Sequence, residues 1–406
     1  MLSCGIFNDK YSMKLIKSNI EIELSAYIKQ AEIILKKEKI YIIDSLDPVI
    51  HTAAYIAWRN VGGNILVLPP LKDSIKIHVK VELEKILPTL FNSVVFLSSG
   101  TTGAPKLIVQ SHRQFDQMIK MSAAALNWEA SARVVCLNPV FTVGYWYIVL
   151  PAAVLYKSTI SVSSVDNIHT EIIKPGDQLI ASSGQLDLIQ YRNALSDYSV
   201  FSKILTGSSK TLPKLYNHIF SHGGKSVTHG YGSTEIGAPI LSREVFSTDS
   251  AYEYLEILPK SDAEFKLINN ELYVKGESLC TNYKDYDYDN EWFRTHDIWE
   301  EHPTLPNLFQ FFSRTNDIVK VNGQHCNLLQ LEIFIEENTN LGECLAVVRN
   351  SMGVEWIEIL YTNSSVKIDR TALNKLCSTY VDRNCTPKKY TVTEYIPKAA
   401  LQKKIR

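Results

Sequence analysis

Several features that would assign this sequence to a specialised class of protein are missing from it. Its 7 cysteines are scattered over 406 residues. None of them forms a C-x-x-C pair or a spacing typical of metal ligands, which argues against a disulfide framework and against a zinc site. No apolar run is long enough to span a bilayer or to form the core of a signal peptide. We therefore expect a cytoplasmic protein without a membrane span.

An excess of positive charge is also absent, since 42 basic side chains are balanced by 43 acidic ones. A nucleic-acid surface usually leaves such an excess, so we expect no nucleic-acid partner. The sequence has the composition of an ordinary globular protein, with 45% hydrophobic and 21% charged residues. Its length allows two or three domains with a large buried core.

Helical and strand-like segments alternate along most of the chain. Between residues 17 and 95 amphipathic stretches alternate with short apolar ones, and the pattern continues through "ARVVCLNPV", "STISVSSV", "DQLIASSG" and "FSKILTGSS". This alternation predicts an α/β fold. Further on, "AEFKLINNELYVKGESL" predicts a β-hairpin that turns at Asn269 and Asn270.

One polar cluster, "SSGTTGAPK" at residues 98 to 106, follows the apolar run "SVVFL" and precedes the helical stretch "SHRQFDQMIKMSAAAL". A plain turn is one interpretation. The other is a phosphate-binding loop at a strand end, because glycines let backbone N–H groups approach an anion, hydroxyls donate hydrogen bonds and a lysine adds positive charge. The Walker A spacing is absent, which disfavours a generic phosphate-binding NTPase. The candidate phosphate-binding residues are Ser98, Ser99, Gly100, Thr101, Thr102, Gly103 and Lys106.

A second polar cluster, "HGYGSTEIGAP", covers residues 229 to 239. It too can be interpreted as a glycine turn. However, Tyr231 offers a flat ring for stacking, Thr234 a hydroxyl and Glu235 a carboxylate suited to Mg²⁺. A nucleotide site needs all three of these functions.

Together, "SSGTTGAPK" and "YGSTE" resemble the motifs of the adenylate-forming superfamily, which includes acyl-CoA synthetases and aryl acid ligases. Four further segments follow in the order that this family has: "TGSS" (206 to 209), "WFRTHD" (292 to 297), "SRTNDIVKVNGQ" (313 to 324) and "IPKAALQKKIR" (396 to 406). The resemblance implies a large N-terminal domain of helix-flanked, mostly parallel sheets with a small β-barrel-like subdomain. A small mobile α+β C-terminal domain would follow it. We expect these domains at 1–312 and 318–406, with a hinge at 313–317.

The resemblance also implies roles for residues that match the family motifs. Loop 98 to 106 would hold the β and γ phosphates of ATP, Thr234 would contact the α phosphate, and Glu235 would bind Mg²⁺. Lys403 would bridge the substrate carboxylate and the α phosphate during attack. Thr234, Glu235 and Lys403 are therefore the predicted catalytic residues. The remaining predicted nucleotide-binding residues, which would surround the adenine and the ribose, are Gly207, Ser208, Tyr231, Gly232, Ser233, Asp297 and Arg314.

Several positions depart from the family pattern. Asn316 occupies the usual position of the hinge carboxylate. The other departures are His296, Ser313, His325, Gln330 and Gln402. Most of them lie in or near the predicted C-terminal domain, so they concern the second half-reaction more than nucleotide binding.

The acid substrate and its acceptor are predicted only as classes. No carboxylate lies between Cys136 and Val149, where relatives that use α-amino acids usually have an Asp, so an acid without an α-amino group is favoured. Thr142, at the position of a common histidine, and Gly144 are the candidates for the acid pocket. The phosphate loop begins early in the chain, which implies a shortened N-terminal region.

The thiol acceptor is expected to be a separate molecule, because nothing follows Arg406 in this sequence. CoA is the commonest acceptor in the family, and the phosphopantetheine of a free acyl carrier protein is the rival. A catalytically weak protein that binds ATP or an acyl-adenylate as a partner is the alternative of a different class. Homodimer formation is left open. His112 and His229 are expected to form hydrogen bonds in loops and not to act as bases.

Overall fold

The computed structural model describes residues 14–71, 73–98, 106–126, 133–237, 239–257, 263–282, 288–289, 291–321, 323–351 and 354–397. The chain divides into two compact units. The first comprises Met1–Phe265, Val274–Phe293 and His302–Phe309; the second comprises Lys266–Tyr273, Arg294–Glu301 and Gln310–Arg406. The domain limits predicted from the motifs, with a hinge at 313–317, stay a prediction.

Seven α-helices belong to the first unit within the described part of the chain. They are α1 (Ser25–Lys37), α2 (Pro48–Val61), α3 (Asp73–Ile86), α4 (His112–Leu126), α5 (Leu150–Tyr156), α6 (Ser183–Arg192) and α7 (Pro213–Ser221). A π-helical segment, Gly144–Val149, directly precedes α5. Local sequence explains several helix ends. Asp47 caps α2 by accepting a hydrogen bond from the backbone N–H of Val49, and Ser182 and Gln185 form a capping box at the start of α6.

The strands are numbered along the chain. The first thirteen are β1 (Lys14–Lys17), β2 (Ile20–Ile22), β3 (Tyr41–Ile43), β4 (Ile65–Val67), β5 (Ser93–Leu97), β6 (Leu107–Ser111), β7 (Arg133–Cys136), β8 (Thr159–Val162), β9 (Asp177–Ile180), β10 (Phe201–Gly207), β11 (Ser226–Tyr231), β12 (Leu241–Phe246) and β13 (Leu255–Ile257). The others are β14 (Glu264–Ile268), β15 (Glu271–Lys275), β16 (Tyr288–Asp289), β17 (Trp292–Glu301), β18 (Leu308–Arg314), β19 (Ile318–Val321), β20 (Gln324–Asn327), β21 (Cys344–Ser351), β22 (Val354–Tyr361) and β23 (Lys389–Val392).

Two mostly parallel sheets form the framework of the first unit. The larger one contains the run of neighbouring strands β13-β12-β11-β10-β9-β7-β8-β1-β2, and every neighbouring pair from β11 to β1 is parallel. The smaller sheet has the order β3-β4-β5-β6, with only the last pair antiparallel. All four residues of β9 are buried, as expected for a parallel strand covered on both faces. The α/β prediction is confirmed.

The second unit contains an α+β segment with a core of its own. The antiparallel strands β21 and β22 and the parallel strand β23 form its three-stranded sheet, and two helices, α8 (Leu328–Asn338) and α9 (Arg370–Cys377), lie in the same unit. Leu331 and Ile335 of α8 pack with Ile357 and Ile359 of β22 in one hydrophobic cluster. The predicted hairpin is also present in this unit, since Asn269 and Asn270 join β14 to β15 with φ of 51° and 64°.

Among the described residues, no helix has the length and apolar character needed to cross a membrane.

Candidate nucleotide-binding site

The candidate site of the first unit lies at the carboxyl ends of the parallel strands of the large sheet. Because β7, β9, β10 and β11 are parallel, their carboxyl ends meet at one edge of the sheet. Gly207 ends β10 and is in register with Gly230, one residue before Tyr231. A Cβ atom on Gly207 would lie 2.5 Å from the Gly230 carbonyl oxygen. Only glycine therefore permits this close approach, which places "TGSS" beside "YGSTE".

The side chain of Ser183, a residue that the sequence motifs do not contain, contacts the "TGSS" segment. Its hydroxyl lies 2.5 Å from Thr211 Oγ1 and 3.3 Å from the carbonyl oxygens of both Gly207 and Ser209. Ser208, which is exposed, has a φ of 77°. A serine pair at the carboxyl end of the predicted strand β9 is the only sequence signal that could have indicated this contact.

The two histidines near the motifs form hydrogen bonds, as expected, but both lie in regular secondary structure and not in loops. His229 belongs to β11, with its Nδ1 atom 3.1 Å from the Tyr216 hydroxyl. His112 begins α4, with its Nε2 atom 3.1 Å from the Trp58 carbonyl oxygen. Burial lowers the pKa of each ring to about 4. Both are therefore neutral at pH 7 and engaged in hydrogen bonds within regular structure.

The Tyr231–Glu235 turn, residues 231 to 235, is closed by its own backbone. The N–H of Ile240 donates to the Tyr231 carbonyl at 2.9 Å, and the N–H of Gly237 donates to the Ser233 carbonyl at 2.9 Å. The side chains of Tyr231, Thr234 and Glu235 are half-buried, and Gly232 is exposed. The turn thus has a defined backbone with polar and aromatic side chains that remain partly accessible to a ligand.

Other segments anchor this turn from outside. The N–H of Cys280 donates to the Glu235 carbonyl oxygen at 2.8 Å, and Gln110 Nε2 donates to the Thr234 carbonyl oxygen at 3.3 Å. Gly237 has a φ of 91°, and a Cβ at this position would lie 2.8 Å from Met118 Sδ in α4. Strand β6, helix α4 and the segment at Cys280 therefore hold the turn together.

The predicted phosphate loop is described only at its two ends, since Ser99, Gly100, Thr101, Thr102 and Gly103 lie outside the described residues. The N–H of Ser98 donates to the Lys106 carbonyl at 2.9 Å, and Leu97 pairs with Leu107 between the antiparallel strands β5 and β6. Ser98 is buried and Lys106 is exposed. The loop is thus the connection of a β-hairpin. The sequence pattern does not predict β6, because the polar Gln110 interrupts its apolar run.

The donor set around Glu235 suits Mg²⁺ held jointly by protein and phosphate. Within the described part of the chain, no group of three or more His, Cys, Asp or Glu side chains could enclose a metal ion. Magnesium commonly uses one or two carboxylates and completes its octahedron with water and substrate phosphates. A single half-buried carboxylate next to the Thr234 hydroxyl fits this mode of binding.

The predicted ribose contacts belong to the second unit. Arg314 Nε lies 2.8 Å from Asp297 Oδ1, and Asp297 is only 2% exposed. Asp297 lies inside strand β17, which continues from it to Glu301. Its backbone direction changes locally: His296 has a φ of 59°, and the Thr295 hydroxyl accepts a hydrogen bond from the N–H of Asp297 at 3.1 Å. A left-handed φ is the conformation that glycine adopts most readily, so a histidine at this position needs contacts that hold it there.

Neighbouring side chains hold His296 in this conformation. Its Nδ1 atom lies 3.3 Å from Glu271 Oε1 and 3.3 Å from the Thr315 hydroxyl. Arg294 donates two hydrogen bonds to the same carboxylate, at 2.8 and 2.9 Å. The predicted hinge residue, Asn316, is exposed in the single 3₁₀ turn Thr315–Asp317.

The candidates for the acid pocket follow β7, at the same edge of the large sheet. Thr142 is buried, and its hydroxyl donates to the Pro139 carbonyl at 2.7 Å. Gly144 begins the π-helical segment, and a Cβ there would lie 2.7 Å from Asn138 Nδ2. The Thr142 hydroxyl is therefore already hydrogen-bonded to the backbone of a residue three positions before it. The predicted catalytic lysine, Lys403, lies outside the described residues.

Residues 84–278 match a family model described as AMP-binding enzyme. Among solved structures, o-succinylbenzoate CoA synthetase from Bacillus subtilis, in complex with its acyl-adenylate intermediate, has a TM-score of 0.79 at 16% identity. The match covers 97% of this chain and 94% of that one. Residues 84–278, just under half of the length of the chain, thus resemble AMP-binding enzymes, and the chain shares the fold of that synthetase. ATP-bound MatB from Rhodopseudomonas palustris has the same fold, with a TM-score of 0.81, 13% identity and coverage of 98% and 97% of the two chains.

The curated proteins that this chain resembles are longer than it is. A probable acyl-activating enzyme 4 of Arabidopsis thaliana is 23% identical over 350 residues, which cover 76% of this chain and 63% of that protein. A malonate–CoA ligase of the same plant is 23% identical over 361 residues, which cover 77% of this chain and 59% of that protein. The chain therefore spans about three fifths of the length of these relatives.

Proposed function

We propose that the protein uses ATP to activate a carboxylic acid as an acyl-adenylate, releasing pyrophosphate, and then transfers the acyl group to a thiol, releasing AMP. The observation that carries the proposal is the close approach of Gly207 to Gly230, which puts "TGSS" and the Tyr231–Glu235 turn at one edge of a parallel sheet. The names of the curated relatives, which include CoA ligases, support a thiol as the acceptor.

In this proposal the ring of Tyr231 stacks on adenine, and the Thr234 hydroxyl donates to the α phosphate. The carboxylate of Glu235 holds Mg²⁺ together with phosphate oxygens, and the ion neutralises part of their charge. Asp297 accepts hydrogen bonds from the ribose hydroxyls, and Arg314, already paired with it, adds a cation near the ribose or phosphate.

Lys403 is proposed to bridge the acid carboxylate and the α phosphate while negative charge builds up on phosphorus-bound oxygen. The region 318–406 would then rotate about Asn316, which removes Lys403 and opens the site to the thiol. Exposure of Asn316 in a single turn is compatible with such a rotation. We propose CoA as the acceptor, with the phosphopantetheine of a free acyl carrier protein as the alternative.

Pyrophosphate release from MgATP, with hydroxylamine to trap the acyl-adenylate, tests the first step across aryl, short-chain and long-chain acids. We expect release that depends on one of these acid classes. Lys403→Ala should abolish this release and leave ATP binding, measured by calorimetry, largely intact. Turnover by that variant would contradict the mechanism. ATP binding by the wild type without release across the whole panel would favour the partner protein that binds nucleotide but does not turn it over.

A further inference from the structure

Gln110 is a fully buried polar residue that follows three apolar residues in strand β6. Its side chain is 0% exposed, and the three residues before it in β6, Leu107, Ile108 and Val109, are also buried. Burying an amide in such surroundings is unfavourable unless its groups form hydrogen bonds. The contacts of Gln110 therefore indicate what this residue does.

One end of the amide reaches the candidate nucleotide site. Gln110 Nε2 donates to the Thr234 carbonyl oxygen at 3.3 Å, across 124 positions of sequence. On its own strand, Gln110 follows Lys106, the last residue of the predicted phosphate loop, by only four positions. A single hydrogen bond thus links the strand leaving that loop to the turn that carries Thr234 and Glu235.

The same side chain lies beside Tyr147 of the π-helical segment, which begins at Gly144. Burial raises the pKa of the Tyr147 phenol well above its ordinary value, and the nearby Cys280 and Glu235 raise it further. Tyr147 is 1% exposed and remains a neutral phenol. The side chain of Gln110, in β6, thus lies near both the Tyr231–Glu235 turn and the π-helical segment that begins at Gly144.

We infer that Gln110 is a positioning residue, whose amide fixes the Tyr231–Glu235 turn against strand β6. The inference rests on the proposed function and adds a residue that none of its motifs contains. The geometry requires a donor at Nε2, because the group opposite it is a carbonyl oxygen. A displaced turn would move the Thr234 hydroxyl and the Glu235 carboxylate away from the reacting phosphate, and small displacements of this kind are costly to catalysis.

The first test is Gln110→Leu, which keeps the volume of the side chain and removes its donor. We expect kcat for acid-dependent pyrophosphate release to fall about tenfold, the effect of one buried hydrogen bond, and KM for the acid to change by less than about twofold. The matched control is Gln178→Leu. Gln178 is equally buried, in β9, and makes no hydrogen bond to the turn among the described residues, so this variant should keep wild-type kinetics.

The second variant, Gln110→Glu, separates positioning from a merely structural role. An ionised carboxylate cannot donate to the Thr234 carbonyl, whereas a protonated one can, and burial favours the protonated form. We therefore expect the activity of Gln110→Glu, relative to wild type, to rise as the pH falls from 8 to 6. Tyr147→Phe, which leaves the Gln110 donor in place, should keep the wild-type pH profile. Because this comparison follows how the ratio of Gln110→Glu to wild-type activity changes with pH, it remains decisive even if Gln110→Leu folds poorly.

Calorimetric titration with MgATP separates failure of this inference from failure of the proposed function. If the wild type adenylates no acid, the proposed function fails, and the inference still requires weaker MgATP binding by Gln110→Leu than by Gln178→Leu. Wild-type kcat and wild-type MgATP affinity in Gln110→Leu, or a flat activity ratio for Gln110→Glu between pH 8 and 6, would overturn the inference.

Discussion

Mild acid should destabilise the first unit through three histidines that it keeps neutral. Burial lowers the pKa of His51, His112 and His229 to about 4. His51 is fully buried, its Nδ1 accepts a hydrogen bond from Trp146 Nε1 at 3.2 Å, and its Nε2 lies 2.7 Å from the Ser45 carbonyl oxygen. Each ring binds a proton more readily in the unfolded chain. The stability that these rings contribute is therefore complete above about pH 6.5 and is lost as the pH falls toward 4.

The size of the effect follows from the two pKa values. With about 6.5 in the unfolded chain and about 4 in the folded one, each fully buried ring lowers the free energy of unfolding by about 2 kcal/mol between pH 7 and pH 5. His51 and His229 together account for about 4 kcal/mol by this arithmetic. His112 is less buried, and we add about 1 kcal/mol for it because solvent screens its charge. The sum is a large part of the ~5–15 kcal/mol that stabilises a typical domain.

Urea unfolding followed by tryptophan fluorescence at pH 7, 6 and 5 measures this loss. At pH 5 the unfolded carboxylates are still mostly ionised, so histidine protonation dominates the change. In His229→Gln the loss between pH 7 and pH 5 should shrink by about 2 kcal/mol, whereas replacing the exposed His169 by Gln should leave it unchanged. A wild type that loses less than about 1 kcal/mol in this range, or an unchanged pH dependence in His229→Gln, would refute the reasoning.

Three further predictions concern other parts of the chain. Gly207→Ala puts a Cβ 2.5 Å from the Gly230 carbonyl oxygen, so urea unfolding should show a loss of ~1–3 kcal/mol and calorimetry a weaker affinity for MgATP. Asp297→Asn keeps the shape of the side chain but removes the charge that Arg314 contacts at 2.8 Å; ATP should bind about tenfold more weakly, and unchanged affinity would exclude Asp297 from the ribose site. Burial raises the pKa of Glu358, but hydrogen bonds from three neighbouring side chains lower it to about 2. Stability is therefore lost as the pH falls from about 4.5 toward 2, and Glu358→Gln should lose less than wild type between pH 5 and pH 3 in the same unfolding assay.

Short-range features of the fold could be predicted because neighbouring residues cause them. The Asn269–Asn270 turn joins two strands, since both residues adopt left-handed conformations that asparagine tolerates. The apolar run "SVVFL" is strand β5. Strand β6 could not be predicted, because the polar Gln110 interrupts its apolar pattern and only a contact with a distant turn accounts for burying it. The backbone conformation at Asp297 inside β17 could not be predicted either. The left-handed φ of the preceding residue, His296, depends on long-range contacts with Glu271 and Thr315.

By itself, the sequence determined the types of residue available for nucleotide chemistry: the hydroxyls and glycines of "SSGTTGAPK", the aromatic ring and carboxylate of "YGSTE", and the order in which these motifs follow one another. The tertiary structure decided which of them meet. Strand order in a parallel sheet is set by long-range packing and not by local periodicity. Only the folded chain therefore shows that Gly207 touches Gly230, that Ser183 supports "TGSS", and that Gln110 reaches the Thr234 carbonyl.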